Sequence, residues 1–150
     1  MGDLEIRRAT ADDLPAIVAM LADDPLGAAR ESPDDMAPYQ AALERLETDP
    51  HQHLVVAVRE GRLIGTLQLT IVPGLSHRGA TRALIEAVRV HADERGSGLG
   101  SLLIEWAIDT ARRLECGMVQ LTSDKTRTDA HRFYERLGFS ATHEGFKLRL

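Results

Sequence analysis

Hydrophobic and polar positions follow two different periods along this chain, and each period predicts a type of secondary structure. Short runs that alternate or are continuously apolar, bounded by turn residues, predict strands at Leu4–Arg8, Leu54–Val58, Leu63–Val72, Arg82–His91, Met118–Thr122, Phe139–Thr142 and Phe146–Leu150. Apolar residues at intervals of three and four predict helices after Thr10, after Ser32, from Leu99 to Leu114 and from Thr128 to Leu137. The resulting order, β-α-α-β-β-β-α-β-α-β-β, predicts a mixed, mostly antiparallel sheet with helices on its faces.

Short polar motifs mark the helix limits. Thr10–Asp13 combines a capping hydroxyl with acids that suit the positive end of a helix. Asp24–Gly27 contains a proline and a glycine that predict the end of this first helix. Ser32–Asp35 predicts the second start, with proline at the first helical position. Pro73–Gly79 is predicted to be a loop.

Length and composition favour one intracellular domain. The 150 residues suit a single domain, 1–150, and the single cysteine, Cys116, excludes an intramolecular disulfide. The net charge of −5 argues against a broad nucleic-acid surface. No apolar run approaches the roughly 18–20 residues of a membrane span, so we expect a cytoplasmic protein.

A glycine-dense turn follows the Val88–Val90 strand and opens the long helix. It reads Arg95-Gly96-Ser97-Gly98-Leu99-Gly100. A strand that breaks into glycines before a helix places several unpaired backbone N–H groups together, and the helix dipole favours an anion there. The pattern predicts a phosphate-binding turn.

Two motifs in this order resemble the GNAT superfamily of N-acetyltransferases. The first is R-x-x-G-x-G, formed by Arg95, Gly98 and Gly100; the second is A-x-x-x-Y-x-x-x-G-F, from Ala130 through Tyr134 to Phe139. The resemblance implies an α+β fold in α/β/α layers, with about seven strands flanked by four helices. It also implies transfer of an acetyl group from acetyl-CoA to a primary amine, without a metal.

The resemblance further implies which residues would contact acetyl-CoA. The amides of the glycine turn would hold the pyrophosphate, and the strand backbone would pair with the pantetheine arm. Arg127 stands where the family often has asparagine, so an additional phosphate contact is the alternative there. The complete set is Val88, Arg89, Val90, Arg95, Gly96, Ser97, Gly98, Leu99, Gly100, Ser101, Arg127 and Tyr134.

Two side chains are candidates for proton transfer. Tyr134 matches the family position whose hydroxyl protonates the leaving sulfur, although its spacing also fits a core aromatic. Glu86 lies two residues before Val88, so alternation places both on one side of the strand, and the resemblance implies a base acting through water. A salt bridge to Arg82 or Arg89 is the alternative for Glu86. His91 and His77 are the other candidate bases.

Two other phosphate-binding folds and one non-catalytic function are the alternatives to an acetyltransferase. A Walker-type phosphate loop is excluded because no Gly-Lys-Ser/Thr follows the glycines, and repeated βαβ units for a dinucleotide fold are absent. The remaining alternative is a domain of the same fold that binds acyl-CoA as a sensor without transferring the acyl group. The expected partner is a small-molecule or peptide amine, and the resemblance allows a homodimer.

Overall fold

The computed structural model describes residues 2–150, which form two compact units. The first unit ends at Gln120, and the second runs from Leu121 to Leu150. The first contains nearly all of the sheet, whereas the second contains one helix and a C-terminal segment without regular secondary structure. The single domain 1–150 stays a prediction.

Five strands and six helices make up the regular structure of residues 2–150. In chain order they are β1 Leu4–Arg8, α1 Leu14–Ala22, α2 Pro25–Arg30, α3 Ala37–Glu47, β2 Gln52–Arg59, β3 Arg62–Val72, α4 Ser76–Gly79, β4 Arg82–Val90, α5 Leu99–Arg113, β5 Met118–Leu121 and α6 Thr128–Arg136. Two 3₁₀ turns, Ala11–Asp13 and Ala92–Glu94, precede α1 and α5.

The sheet has the order β1-β2-β3-β4-β5, and its first four strands pair antiparallel with their neighbours. Period-two alternation gives it two buried faces. On one face, Val56 packs with Ile17 of α1. On the other face, Gly65 leaves room for Leu99 and Leu103 of α5, since an added Cβ would lie 3.1–3.3 Å from those leucines. The strand predicted at Leu63–Val72 is therefore confirmed as β3, and helices cover both of its faces.

An ion pair stabilises the entry into α1. The carboxylate of Asp13 accepts hydrogen bonds from both guanidinium nitrogens of Arg7, at 2.8 and 3.0 Å, and from the amide of Thr10 at 2.7 Å. The hydrogen bond from Arg7 is the main reason that the pKa of Asp13 lies below its ordinary value. The acidic first turn that the sequence predicts is thus fixed to β1.

The helices between α1 and β2 differ from the prediction. Asp24–Gly27 ends α1 as predicted, but it also starts a second helix, α2. The Asp24 carboxylate caps α2 by accepting a hydrogen bond of 2.6 Å from the amide of Gly27, and Pro25 occupies its first turn. Ser32–Asp35 forms a turn, with the Asp35 amide donating to the Ser32 carbonyl at 3.0 Å. The next helix, α3, begins at Ala37, so the predicted start at Pro33 is wrong.

The prediction of about seven strands and four helices needs correction. Phe139–Thr142 and Phe146–Leu150 lie outside regular secondary structure, and α2 and α4 are short additional helices. Alternation produces a strand only where a neighbouring strand supplies hydrogen bonds and an apolar face to cover. Phe146 and Leu148 are instead 94% and 87% exposed.

No helix within residues 2–150 is long and apolar enough to cross a membrane. A cytoplasmic location stays a prediction.

We expect Asp13→Asn to lower the free energy of unfolding by about 1–3 kcal/mol at pH 7, because it removes a charge-assisted pair from a buried acceptor. The folded-state pKa of Asp13 lies below its unfolded value, so the contribution is present above the unfolded pKa and is lost as pH falls through the folded pKa. Urea unfolding from pH 7 to pH 2 measures this. The difference from wild type should shrink on acidification.

Asp12→Asn is the matched control, since Asp12 is an exposed neighbour in the same turn. A constant difference between wild type and Asp13→Asn down to pH 2 would contradict the role of the ion pair.

Candidate active site

A β-bulge interrupts β4, which lies between β3 and the edge strand β5. Gln68 of β3 faces Glu86 and Thr66 faces Arg89, so the two residues Ala87 and Val88 lie opposite the single residue Leu67. Ala87 has a φ of 53°, in the left-handed region that a residue with a side chain rarely adopts. The bulge therefore bends the strand in the segment that the sequence assigns to the acyl donor.

The bulge changes which side chains share a face. Gln68 and Thr66 are two residues apart on β3, so their partners Glu86 and Arg89 lie on the same face. Simple alternation along β4 instead groups Glu86 with Val88 and puts Arg89 on the other side. Val90 faces Gly65, on the side covered by α5. The structure thus places on one face an exposed carboxylate and a guanidinium that simple alternation would place on opposite faces.

The glycine turn has the backbone geometry expected of an anion-binding segment. Gly96 and Gly98 have φ values of 82° and 88°, which favour glycine. Gly98 is the N-cap of α5, and its carbonyl accepts the first helical hydrogen bond, from the amide of Leu102 at 3.2 Å. The amides of Leu99, Gly100 and Ser101 belong to the first helical turn, whose N–H groups have no partner four residues earlier.

Hydrogen bonds within the turn restrict its shape. The Ser97 hydroxyl and the Ser97 amide both donate to the carbonyl of Glu94, at 2.6 and 3.2 Å. The Glu94 carboxylate in turn lies 3.4 Å from Arg59 of β2. The turn is thereby connected to the sheet before any ligand binds.

The two arginines beside the site contact the connection between α1 and α2. Arg95 donates to Asp23 at 3.2 Å, and the Arg89 Nε lies 3.4 Å from the Asp24 carboxylate. The amide of Gly27 lowers the pKa of Asp24, and the charge of Arg89 lowers it further. Two carboxylates therefore contact two arginines that the sequence analysis places among the acetyl-CoA contacts. No local pattern in the sequence predicted this pairing.

The histidines occupy less suitable positions for a base. The His91 Nδ1 accepts a hydrogen bond of 3.1 Å from the amide of Asp93, so this ring caps the 3₁₀ turn. His77 lies in α4 with a φ of 53°, on an exposed turn after β3. Glu86, on the bulged strand itself, remains the candidate that the geometry favours.

The second unit contains the remaining candidates. Tyr134 lies on α6, half-buried between Phe133 and Phe139, with ring centroids 5.2 and 5.9 Å away in edge-to-face geometry. Arg127 is exposed at the N-terminus of α6, and its amide donates to the Asp124 carbonyl at 3.0 Å. The aromatic packing of Tyr134 leaves its catalytic role a prediction.

An apolar cavity of about 140 Å³ lies between α1, α3 and the sheet. Its lining is Leu14, Ile17, Val18 and Leu21 of α1, Tyr39, Ala42, Leu43 and Leu46 of α3, and Leu54, Thr66, Gln68 and Ala87 of the sheet. Ala87 is the bulge residue, so the cavity reaches the irregular part of β4. Apolar periodicity predicts these helix residues as core, and only the tertiary structure reveals a void among them.

Within residues 2–150, no cluster of three or more histidine, cysteine or acidic side chains could hold a metal ion. Burial raises the pKa of the Cys116 thiol, so a smaller fraction of it is the reactive thiolate at a given pH.

The chain belongs to the acetyltransferase (GNAT) family, whose model matches residues 14–139. It is similar to the aminoalkylphosphonate N-acetyltransferase of Salmonella typhimurium, with 30% identity over 145 residues covering 95% of this chain and 88% of that protein. It is also similar to the glucosamine 6-phosphate N-acetyltransferase of Trypanosoma brucei brucei, with 36% identity over 90 residues covering 60% of this chain and 59% of that protein.

Among solved structures, a transcriptional regulator from Bacillus halodurans has 45% identity and a TM-score of 0.94, covering 99% of this chain and 100% of that chain. Family membership and the predicted GNAT fold are therefore confirmed, and the named relatives support N-acetyltransferase activity in general terms.

We expect Gly98→Val to destabilise the protein by about 1–3 kcal/mol, because a β-branched residue is forced into the left-handed region. An added Cβ at Gly98 meets nothing within 4 Å, so the cost comes from φ and not from a clash. Urea unfolding at constant pH measures it. Gly98→Asn should cost less, since asparagine tolerates this conformation.

Gly145→Val is the matched control, because its Cβ also meets nothing within 4 Å and its φ is not positive. Equal effects of valine at positions 98 and 145 would contradict the requirement for glycine at the N-cap of α5.

Proposed function

We propose that this protein transfers the acetyl group of acetyl-CoA directly to the primary amine of a small-molecule or peptide acceptor. The observation that carries the proposal is the bulged strand β4 leading, through the glycine turn, into the N-terminus of α5. Its glycines at φ values of 82° and 88° and its first-turn amides fit a pyrophosphate that must approach the backbone closely. Arg89 and Arg95 add positive charge.

When acetyl-CoA binds, its pyrophosphate would replace the aspartates as the partner of the two arginines. Arg95 and Arg89 contact Asp23 and Asp24, and these pairs neutralise the cationic groups before a ligand binds. A pyrophosphate offers more negative charge than one carboxylate and accepts bidentate hydrogen bonds from arginine. The exposed Arg95 would then leave Asp23, since an exposed ion pair contributes only about 0–1 kcal/mol.

The acceptor has to lose a proton before it can attack. A lysine-like amine has a pKa of about 10.4, so only about one molecule in a few thousand is neutral at pH 7. Glu86 is exposed on β4 beside the bulge and would accept that proton through water. The amine nitrogen then forms a bond to the carbonyl carbon of the thioester, and the carbon–sulfur bond breaks.

The leaving group is a thiolate, whose conjugate acid, the free thiol, has a pKa of about 8.5. Its departure therefore benefits from a proton donor. We assign this role to the hydroxyl of Tyr134. The backbone N–H of Val90 is the proposed donor to the thioester oxygen as negative charge develops there. The amides of Gly96–Ser101 would hold the pyrophosphate, and Arg127 a further phosphate.

The acceptor class is proposed from the relatives. Their names specify an aminoalkylphosphonate and glucosamine 6-phosphate, which are both small amines. A small-molecule amine is therefore the first choice over a peptide.

The second candidate is an acyl-CoA-binding regulator without transfer activity. It is favoured by the similarity to the Bacillus halodurans protein, which is named a transcriptional regulator. Incubation with acetyl-CoA and a panel of primary amines, with free thiol as readout, distinguishes the two candidates. Thiol release that depends on an amine supports transfer. Binding of acetyl-CoA without thiol release on any amine would favour the regulator.

We expect Tyr134→Phe to lower kcat at least tenfold and to leave the Kd for acetyl-CoA nearly unchanged. The substitution removes the proposed proton donor but keeps the ring that packs against Phe133 and Phe139. Steady-state thiol release and calorimetric titration of acetyl-CoA measure the two quantities.

Phe133→Leu is the control for packing, because it disturbs the same aromatic cluster without removing the hydroxyl. Unchanged turnover in Tyr134→Phe would exclude Tyr134 as the general acid, whereas equal losses of turnover in both variants would indicate a structural role.

We also infer that the protein forms a homodimer through residues 146–150. Phe146, Leu148 and Leu150 alternate with Lys147 and Arg149, and all five are exposed. Such a segment has the alternation of a strand, and it can pair antiparallel with the same segment of a second copy about a twofold axis. This pairing would bring the apolar side chains of both copies onto one face.

We expect light scattering after size exclusion to give twice the chain mass for the wild-type protein. Leu148→Glu should have the mass of a monomer, because a charge in the shared apolar face is unfavourable. Lys147→Gln is the control, since it changes the net charge by the same amount on the opposite face. A wild-type monomer, or a Leu148→Glu dimer, would contradict the inference.

A further inference from the structure

The cavity between α1, α3 and the sheet presents almost only carbon to its interior. Nine of its twelve lining residues are apolar. Each of the other three donates a hydrogen bond to another residue: the Thr66 hydroxyl to the Val55 carbonyl at 2.9 Å, the Gln68 Nε2 to Gln52 at 3.0 Å, and the Tyr39 hydroxyl to Glu31 at 3.0 Å. A ligand in this cavity would therefore contact hydrocarbon and find few hydrogen-bond partners.

The size of the cavity restricts what it can hold. Its volume of about 140 Å³ is close to that of an engineered apolar cavity of about 150 Å³ that binds benzene. An ionised group such as a phosphonate would lose its hydration without gaining a paired charge, which is strongly unfavourable. One six-membered ring or a branched alkyl group fits both the size and the lining.

The cavity lies close to the candidate base. Gln68 lines it and faces Glu86 directly across the β3–β4 pair, and side chains opposite each other have Cβ atoms about 4.5–5.5 Å apart. Ala87, the bulge residue, lines the cavity as well. From this pairing we expect a chain of about two or three carbons to connect an amine held at the Glu86 carboxylate with a substituent in the cavity.

We propose that the cavity is the acceptor subsite for an apolar substituent, so that the substrate is an arylalkyl or branched alkyl primary amine. This inference rests on the proposed acetyl transfer and specifies its acceptor class. It departs from the phosphate- and phosphonate-bearing acceptors that the names of the relatives specify.

The first test compares two amines with the same two-carbon linker. We expect kcat/KM for 2-phenylethylamine to exceed that for 2-aminoethylphosphonate at least tenfold, with acetyl-CoA as donor and free thiol as readout. A reversed or equal preference would overturn the proposal while leaving acetyl transfer established. Absence of thiol release with every amine would instead refute the proposed function.

The second test fills the cavity. Ala42→Phe places a ring where the substituent would lie, so kcat/KM for 2-phenylethylamine should fall at least tenfold, whereas that for ethanolamine should change less than twofold. Ala41→Phe is the matched control, since Ala41 is the exposed neighbour on α3.

A binding measurement separates loss of the subsite from loss of the fold. Thermal unfolding should show that 2-phenylethylamine stabilises the wild type and Ala41→Phe but not Ala42→Phe, with acetyl-CoA stabilising all three equally. Equal losses for both amines in Ala42→Phe, or undiminished stabilisation of this variant by 2-phenylethylamine, would overturn the proposal.

Discussion

The bulge at Ala87–Val88 is the constraint on which the proposed site depends. In an antiparallel pair, one extra residue on one strand reverses the facing of every side chain beyond it. Here that residue brings Glu86 and Arg89 to one face, opposite Gln68 and Thr66, and turns Val90 toward α5. A regular β4 would separate the carboxylate from the guanidinium and would leave no irregular backbone beside the cavity.

The left-handed φ of 53° at Ala87 shows that this geometry costs conformational energy. The surroundings maintain it: Ala83 and Ile85 are buried on one side of the bulge, and beyond it the His91 amide donates to the Ile64 carbonyl at 2.8 Å. Functional sites commonly contain strained backbone that the surrounding packing holds in place. The strain orients a side chain or leaves a backbone group free to bind.

Charge organises the same region. Asp23 and Asp24 contact the arginines at the glycine turn and on β4, and Asp24 also caps α2. The connection between α1 and α2 is therefore coupled to the positive groups of the proposed donor site. In the proposed reaction, this connection would respond when the donor binds, because the arginines cannot contact the aspartates and a pyrophosphate with full strength at once.

Local sequence determined the elements that depend on neighbours in the chain. The glycines at 96 and 98 predicted a turn, the spacing of Leu99 and Leu103 predicted α5, and both are confirmed. The two motifs predicted the GNAT family, which the match over residues 14–139 confirms. These features follow from propensity and periodicity, which act over a few residues.

Only the tertiary structure decided the features that depend on distant residues. The bulge results from the register between β3 and β4, the arginine–aspartate pairs join segments about seventy residues apart, and the cavity lies between two helices and a sheet. The alternation of Phe146–Leu150 predicted a strand that the chain does not form, since a strand requires a partner edge. Pairing, burial and void volume are properties of the packed chain, so no local pattern specifies them.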